Sequence, residues 1–299
     1  MLLNQKHFVH VCINIFIFMN CVIHAKAKKE QYLSSSVFKS FCEHCITAES
    51  RTLNPKAVKK GSSIFVKTDY IEEFFATIHP HIRYPYVLIT HDSDDSPVKS
   101  HAITKYLDDK KLIAWFAQNV EFTHAKLHPI PIGLANEDLP HGNKALLQKY
   151  RRKRNSCKKK HLLYLNINIE KFHIDRPIVS ELFSKKQFCW SPKRKPWQMY
   201  LLDLANSKFI LSPRGNGLDC HRTWESLYMG SIPIVKASPM DKVFEGLPVL
   251  IVKDWTLVSE KFLHKKYATM IKKKYSHKKL FAPYWKKLIN SYKIKSTGS

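Results

Sequence analysis

Short apolar runs bounded by polar turns recur along the chain, and stretches with helical apolar spacing separate them. The runs at 63–66, 86–90 (YVLIT), 112–115 and 128–132 read as buried strands, the last closed by Gly133. Between the first two, a helix over 69–79 turns Phe74, Phe75 and Ile78 inward. A second series follows, with strands at 161–167 (HLLYLNI), 187–190, 209–211, 232–235 and 248–252. Helices over 176–183 and 196–205 lie among them, the latter with Trp197, Tyr200, Leu201 and Leu204 on one face. Alternating strands and helices predict a mostly parallel sheet in each series, with ligands bound beyond the C-terminal ends of the strands. The chain from 256 onward reads as helices. The pattern therefore predicts an α/β fold with an N-terminal domain over 28–155, a second domain over 156–265 and a basic helical tail over 266–299.

The segment 205–234, ANSKFILSPRGNGLDCHRTWESLYMGSIPI, carries the densest chemistry. Phe209 to Leu211 is a buried strand that Pro213 stops, and Gly215 and Gly217 flank Asn216 in a turn with an unusually free backbone. Asp219 reads as the N-cap of a helix over 221–229, which Gly230 ends before the next strand. A Gly-bearing turn feeding a helix start gathers backbone N–H groups and a positive dipole end in one place, which suits a diphosphate. Arg214 and Arg222 flank the turn and can add charge-assisted contacts. Glu225, three residues beyond Arg222, shares its helix face and can accept hydrogen bonds from ribose hydroxyls. The candidate donor-binding set is Arg214, Gly215, Asn216, Gly217, His221, Arg222 and Glu225. An ordinary strand–helix turn, with Glu225 in a structural ion pair, is the competing reading.

Taken together, the strand 209–211, Pro213-Arg214-Gly215, Arg222 with Glu225, and Gly230-Ser231-Ile232-Pro233-Ile234 resemble the donor-binding end of exostosin-like glycosyltransferases. That resemblance implies two Rossmann-like domains facing each other across a cleft, the GT-B architecture, with the tail helices packing back across it. It also implies transfer of a sugar from a nucleotide-sugar donor to a hydroxyl acceptor, such as a glycan or polysaccharide. No metal or other cofactor is implied, because such enzymes steady the leaving diphosphate with backbone and basic side chains. The alternative is a non-catalytic basic protein that binds carbohydrate or nucleotide, or associates with membranes.

The turn His91-Asp92-Ser93-Asp94-Asp95 directly follows a buried strand, where a parallel sheet presents its ligand-facing residues. Asp92 and His91 are the candidate catalytic pair, either able to take the proton of an acceptor hydroxyl. The three carboxylates also suit a divalent cation, and an Asx-rich turn needs no function at all. Asn119 and His124 are secondary acceptor-side candidates. Asn166, Asn168 and Arg176 follow the first strand of the second series, with Arg176 either a phosphate ligand or a helix-start ion pair.

Charge sharpens the choice of partner. The chain carries a formal +26, which favours anionic partners, yet it contains no recognisable nucleic-acid-reading module. The basic stretch 149–160 (KYRRKRNSCKKK) reads as an exposed linker. The stretch 265–287 interleaves Tyr275, Phe281, Tyr284 and Trp285 with lysines, which suits either an anionic membrane surface or a solvated helix face. At the N-terminus, Lys6, an apolar run over 8–23 and Ala25-Lys26-Ala27 predict a signal peptide or signal-anchor over 1–27. Export places the protein in the Golgi or ER lumen of a eukaryote or in a bacterial envelope. In that compartment the Cys42-Glu43-His44-Cys45 pair is expected to form a local disulfide, since no second pair stands at zinc-site spacing.

Overall fold

Continuous apolar runs become strands that are covered on both faces, as parallel sheets require. The run at 86–90 is β3 (Tyr86–His91), in which every residue is buried. It lies at the centre of a five-stranded parallel sheet ordered β1 (His44–Ile46), β2 (Ser63–Lys67), β3, β4 (Leu112–Ala117) and β5 (Leu127–Pro129). The second parallel sheet contains β6 (His161–Tyr164), β7 (Cys189–Trp190), β8 (Ser207–Leu211), β9 (Ile232–Lys236) and β10 (Leu250–Val252). Its order across the sheet is β10-β9-β8-β6-β7. In this computed structural model residues 31–97, 101–169 and 175–295 are described. Both sheets belong to one unit spanning Tyr32–Ser299, so the α/β class and the two series of strands hold. The expected signal or anchor segment lies outside the described residues. Among the described residues no helix is long and apolar enough to cross a membrane.

Seven α-helices of five or more residues surround the sheets among the described residues: α1 (Ser35–Lys39), α2 (Lys144–Lys153), α3 (Asp175–Phe183), α4 (Trp197–Ala205), α5 (His221–Tyr228), α6 (Glu260–Met270) and α7 (Ala282–Lys295). The first sheet explains why the tail matters. Strands in simple chain order, joined by right-handed crossovers, carry all their connections on one face. The other face needs a cover, and α7 supplies it by packing on β3, β4 and α1. Trp285 and Ile289 are buried there, and Phe38 of α1 meets Trp285 edge-on at 6.3 Å. The aromatic half of the expected membrane-facing pattern thus turns inward, while Lys286 and Lys287 stay exposed.

Several local expectations need correction. The basic stretch 149–160 does join the two sheets, but most of it is structured as the end of α2 and the 3₁₀ turn after it. Asn143 caps α2 by accepting the Leu146 N–H at 2.8 Å, and Arg151, Arg152 and Lys153 in the last turn oppose the negative end of the helix dipole. The helix then docks on α4. Arg154 donates to the Tyr228 carbonyl at 2.6 Å and Lys159 to Ser231 Oγ at 2.8 Å, and burial lowers the Lys159 ammonium to about 8. The helix expected over 69–79 is a relay of 3₁₀, α, π and 3₁₀ turns. Its wider π turn lets the adjacent Phe74 and Phe75 both enter the core, where Phe75 stacks on Tyr106 at 4.1 Å. Cys42 and Cys45 are free thiols, not a disulfide, and point at the carbonyls of Phe38 and Lys39 in α1.

Candidate functional site

Strand order decides where a ligand fits in the second sheet. β6 and β8 are neighbours, while the connections leaving them run to helices on opposite faces, so a crevice opens beyond their C-terminal ends. Arg176, in the first turn of α3, donates from Nε to the Arg214 carbonyl and from Nη1 to the Asn168 carbonyl, both at 3.1 Å. It therefore stitches the turn after β8 to the segment after β6. A Cβ at Gly215 would lie 2.7 Å from Arg176 Nη2, so the guanidinium rests directly on the glycine turn. Burial, and then the like charge of Arg222, pulls the Arg176 pKa down. The Nε atoms of both Arg214 and Arg222 are buried without a hydrogen-bond partner. Unmet buried donors on cations are costly, and an anionic partner for either guanidinium would lower that cost.

The start of α5 faces the same turn. Cys220, not Asp219, occupies its N-cap, and the Cys220 side chain accepts no backbone N–H of the helix. Asp219 instead accepts the Ile132 N–H at 2.9 Å, the Trp224 indole N–H at 2.7 Å and the Cys220 N–H at 2.9 Å. Burial raises its carboxyl to about 6 against these three donors. Glu225 is also buried, and its two oxygens accept from Trp197 Nε1 at 3.1 Å and the Tyr200 hydroxyl at 3.0 Å. Its carboxylate thus secures α4 to α5 across the face where a ribose ligand was expected.

The first sheet brings its own turn to this place. Asp92 and Asn119 follow β3 and β4, and among the described residues they alone, glycines aside, have positive φ, at 68° and 55°. Such a backbone costs free energy and persists where surrounding contacts hold it. Asn119 donates to the carbonyls of Ser93 and Asp94, at 3.3 and 3.0 Å, and accepts the Asp219 N–H at 3.1 Å. It also fills the space that a Cβ on Gly217 would occupy. Asn216 donates to Asp94 Oδ2 at 2.9 Å. The acidic turn and the glycine turn, far apart in sequence, are therefore hydrogen-bonded to each other.

His91 is closed on both sides. Nδ1 accepts the Asp92 N–H at 2.8 Å and Nε2 faces the Pro131 carbonyl at 3.0 Å, which assigns the proton to Nε2. Burial lowers the ring to about 4, so it is neutral at pH 7 and has no open nitrogen. Asp92 is exposed beside it. His124 is engaged elsewhere, with Asp108 at 3.5 Å and the Lys126 N–H at 3.2 Å, and does not join the site. A cavity of about 260 Å³ opens beside the acidic turn, with Asp92, Asp94, Gln118, Ile132, Leu139 and His221 in its wall. No group of three or more His, Cys, Asp or Glu positioned for a metal ion occurs among the described residues. Sequence reasoning gave Asn119 only a minor part. Its sole signal is that Asn tolerates left-handed backbone better than other side chains do. No family model matches the chain, and no match is found among curated proteins.

Proposed function

We propose that the chain is a glycosyltransferase of the GT-B type, which takes a nucleotide-sugar as donor and a hydroxyl group as acceptor. The observation that carries this reading is the pair of buried, unpartnered guanidinium nitrogens, Arg214 Nε and Arg222 Nε, beside Arg176 at the β6/β8 crevice. A donor diphosphate lies over the turn 214–217 with its oxygens toward the three guanidinium groups and the start of α5. As the sugar leaves, negative charge grows on the diphosphate, and fixed cations with an aligned helix dipole stabilise that charge most where water is excluded. Glu225, held by Trp197 and Tyr200, acts by positioning these aromatic side chains in this scheme. In this reading the donor half and the acceptor half meet at the 91–95 and 214–220 turns, which the Asn216–Asp94 hydrogen bond joins.

Thermal-shift measurements with UDP, GDP, the matching nucleosides and nucleotide-sugars test the donor reading, since ligands that bind the native state raise its apparent stability. Stabilisation by diphosphates and not by nucleosides is expected. No response to any member of the panel removes the donor site. The protein is further proposed to enter an export pathway through residues 1–27, and N-terminal sequencing of the exported chain should then begin near Lys28.

A further inference from the structure

We propose that the cavity between the 91–94 turn and the start of α5 is an acceptor subsite for an uncharged, hydroxyl-rich ring, one hexose unit in size, whose proton passes to His221 Nε2. The inference rests on the donor reading above for its transfer step, although the subsite itself is argued from its wall. Four features carry it.

The first is charge. The chain has a formal net charge of +26, yet neither Lys nor Arg occurs in the cavity wall, where Asp92 and Asp94 supply carboxylates. An acidic sugar placed there would face like charge, and such juxtapositions are strongly selected against. The second is shape. Ile132, Leu134 and Leu139 supply apolar wall, which suits the C–H face of a pyranose, alongside the polar groups of the turn. The third is size. At about 260 Å³ the cavity falls below the ~300–1,000 Å³ of sites that enclose drug-sized ligands.

The fourth is the state of His221. Its Nδ1 lies 2.8 Å from the Gly133 carbonyl and must carry the proton to make that bond. With one proton on the ring, that bond leaves Nε2 as the unprotonated nitrogen, and His221 lines the cavity. Gly133 fixes the arrangement: its φ is +70°, and a Cβ there would collide with the Leu33 backbone carbonyl. His91, by contrast, has both ring nitrogens engaged. In the transfer step the acceptor oxygen forms a bond to the anomeric carbon of the donor. Its proton moves to His221 Nε2, and the bond from the anomeric carbon to the diphosphate oxygen breaks, with the electron pair leaving on the diphosphate.

The full chain is tested by saturation-transfer NMR with methyl glucoside and methyl galactoside against the corresponding methyl uronides, each with and without UDP. Binding of the neutral glycosides, with the uronides at least about tenfold weaker, is expected. Leu139→Asp, at a partly exposed position, should abolish glycoside binding without loss of fold, checked by melting. Asp92→Asn with Asp94→Asn should narrow the gap between neutral and acidic rings. Uronides binding as well as the neutral glycosides, or no glycoside binding by a protein that binds UDP, overturns the subsite. Failure of UDP alone overturns the donor reading instead. For the base, long-range ¹⁵N–¹H spectra should show the Nδ1–H tautomer of His221, and the Nε2–H tautomer would refute it. His221→Gln should lower transfer by ~10²–10⁴-fold at saturating donor and acceptor, well beyond any change in UDP or glycoside binding measured on the same protein. Transfer at the parental rate removes His221 as the base, and loss of transfer in Asp92→Asn alone moves the role to Asp92.

Discussion

In the first sheet the strands lie in chain order from β1 to β5, whereas in the second β6 and β8 are neighbours and β7 lies outside them. Chain order keeps successive connections on one face, so the first sheet has no reversal point and leaves a face for α7 to cover. The reversed order sends the segments after β6 and β8 apart, and the space between them gathers Arg176, Arg214 and Arg222. Charge divides in the same way. The first half presents Asp92 and Asp94, and the second presents three guanidinium groups, with the Asn216–Asp94 hydrogen bond where they meet. The same strand ladder thus yields a scaffold in one half and a cluster of three arginines in the other, because topology, not strand composition, decides where connections part.

Removing the cover should hurt most. Trp285→Ala empties a buried site between α7 and the first sheet, and large-to-small changes of this kind cost ~3–5 kcal/mol. Chemical denaturation should record that loss, and a loss below about 1 kcal/mol would show that the first sheet does not depend on the tail.

The buried imidazole of His91 adds a pH dependence to the first half. Its folded pKa, about 4, lies below the ordinary His value, so the unfolded chain takes up the proton first as pH falls. Stability from this group is complete above about 6.5 and declines toward pH 4, by roughly 3 kcal/mol when protonation of both states is complete. Asp219, raised to about 6, works in the opposite sense: its penalty, present above that value, is relieved as pH drops. Urea titrations from pH 7.5 to 4 should therefore show a flatter acid decline in His91→Gln than in the parent. Identical profiles would mean that His91 does not stay neutral in the fold.

The proposed phosphate contact is tested by Arg222→Ala. Loss of a charge-assisted bond to phosphate costs ~1.5–3 kcal/mol, or about 10- to 100-fold in affinity. Calorimetry should show this loss for a nucleoside diphosphate and none for the nucleoside. Equal losses would take Arg222 off the phosphate. The smallest effect belongs to Asn216→Ala, which removes one exposed bond between the halves and should cost ~0.5–1 kcal/mol. A much larger cost would make that contact a principal join, in place of the buried bond from the Asp219 N–H to Asn119.

Much of the scaffold was legible because burial on two faces imposes a pattern on a strand. The runs at 86–90 and 209–211 lie within β3 and β8, and Gly230 ends α5 with φ +72°. Expected strands at 128–132 and 187–190 shrink to three and two residues, since apolar character marks burial and does not count ladder bonds. The basic run 149–160 misleads for the opposite reason. Its charges mask a helix whose buried residue, Leu147, precedes the run, and Arg154 and Lys159 find their partners at the end of α5 and just beyond it, which no local pattern displays.

For the candidate site the division is similar. Residue spacing alone placed Arg214, Gly215, Gly217 and Arg222 at one strand–helix junction, because neighbours in sequence share local geometry. Only tertiary structure decided that Asp219 leaves the helix cap to hold Ile132, that Glu225 closes on Trp197 and Tyr200, and that Asn119 fits against Gly217. It also separated the two histidines, closing His91 on Pro131 and fixing His221 on Gly133. The amino-acid sequence determined the strands, the turn chemistry and the excess of positive charge, all of which follow from short-range sterics and composition. Which donors and acceptors remained open was set by partners about a hundred residues away, because a hydrogen bond depends on position in space and not on separation along the chain.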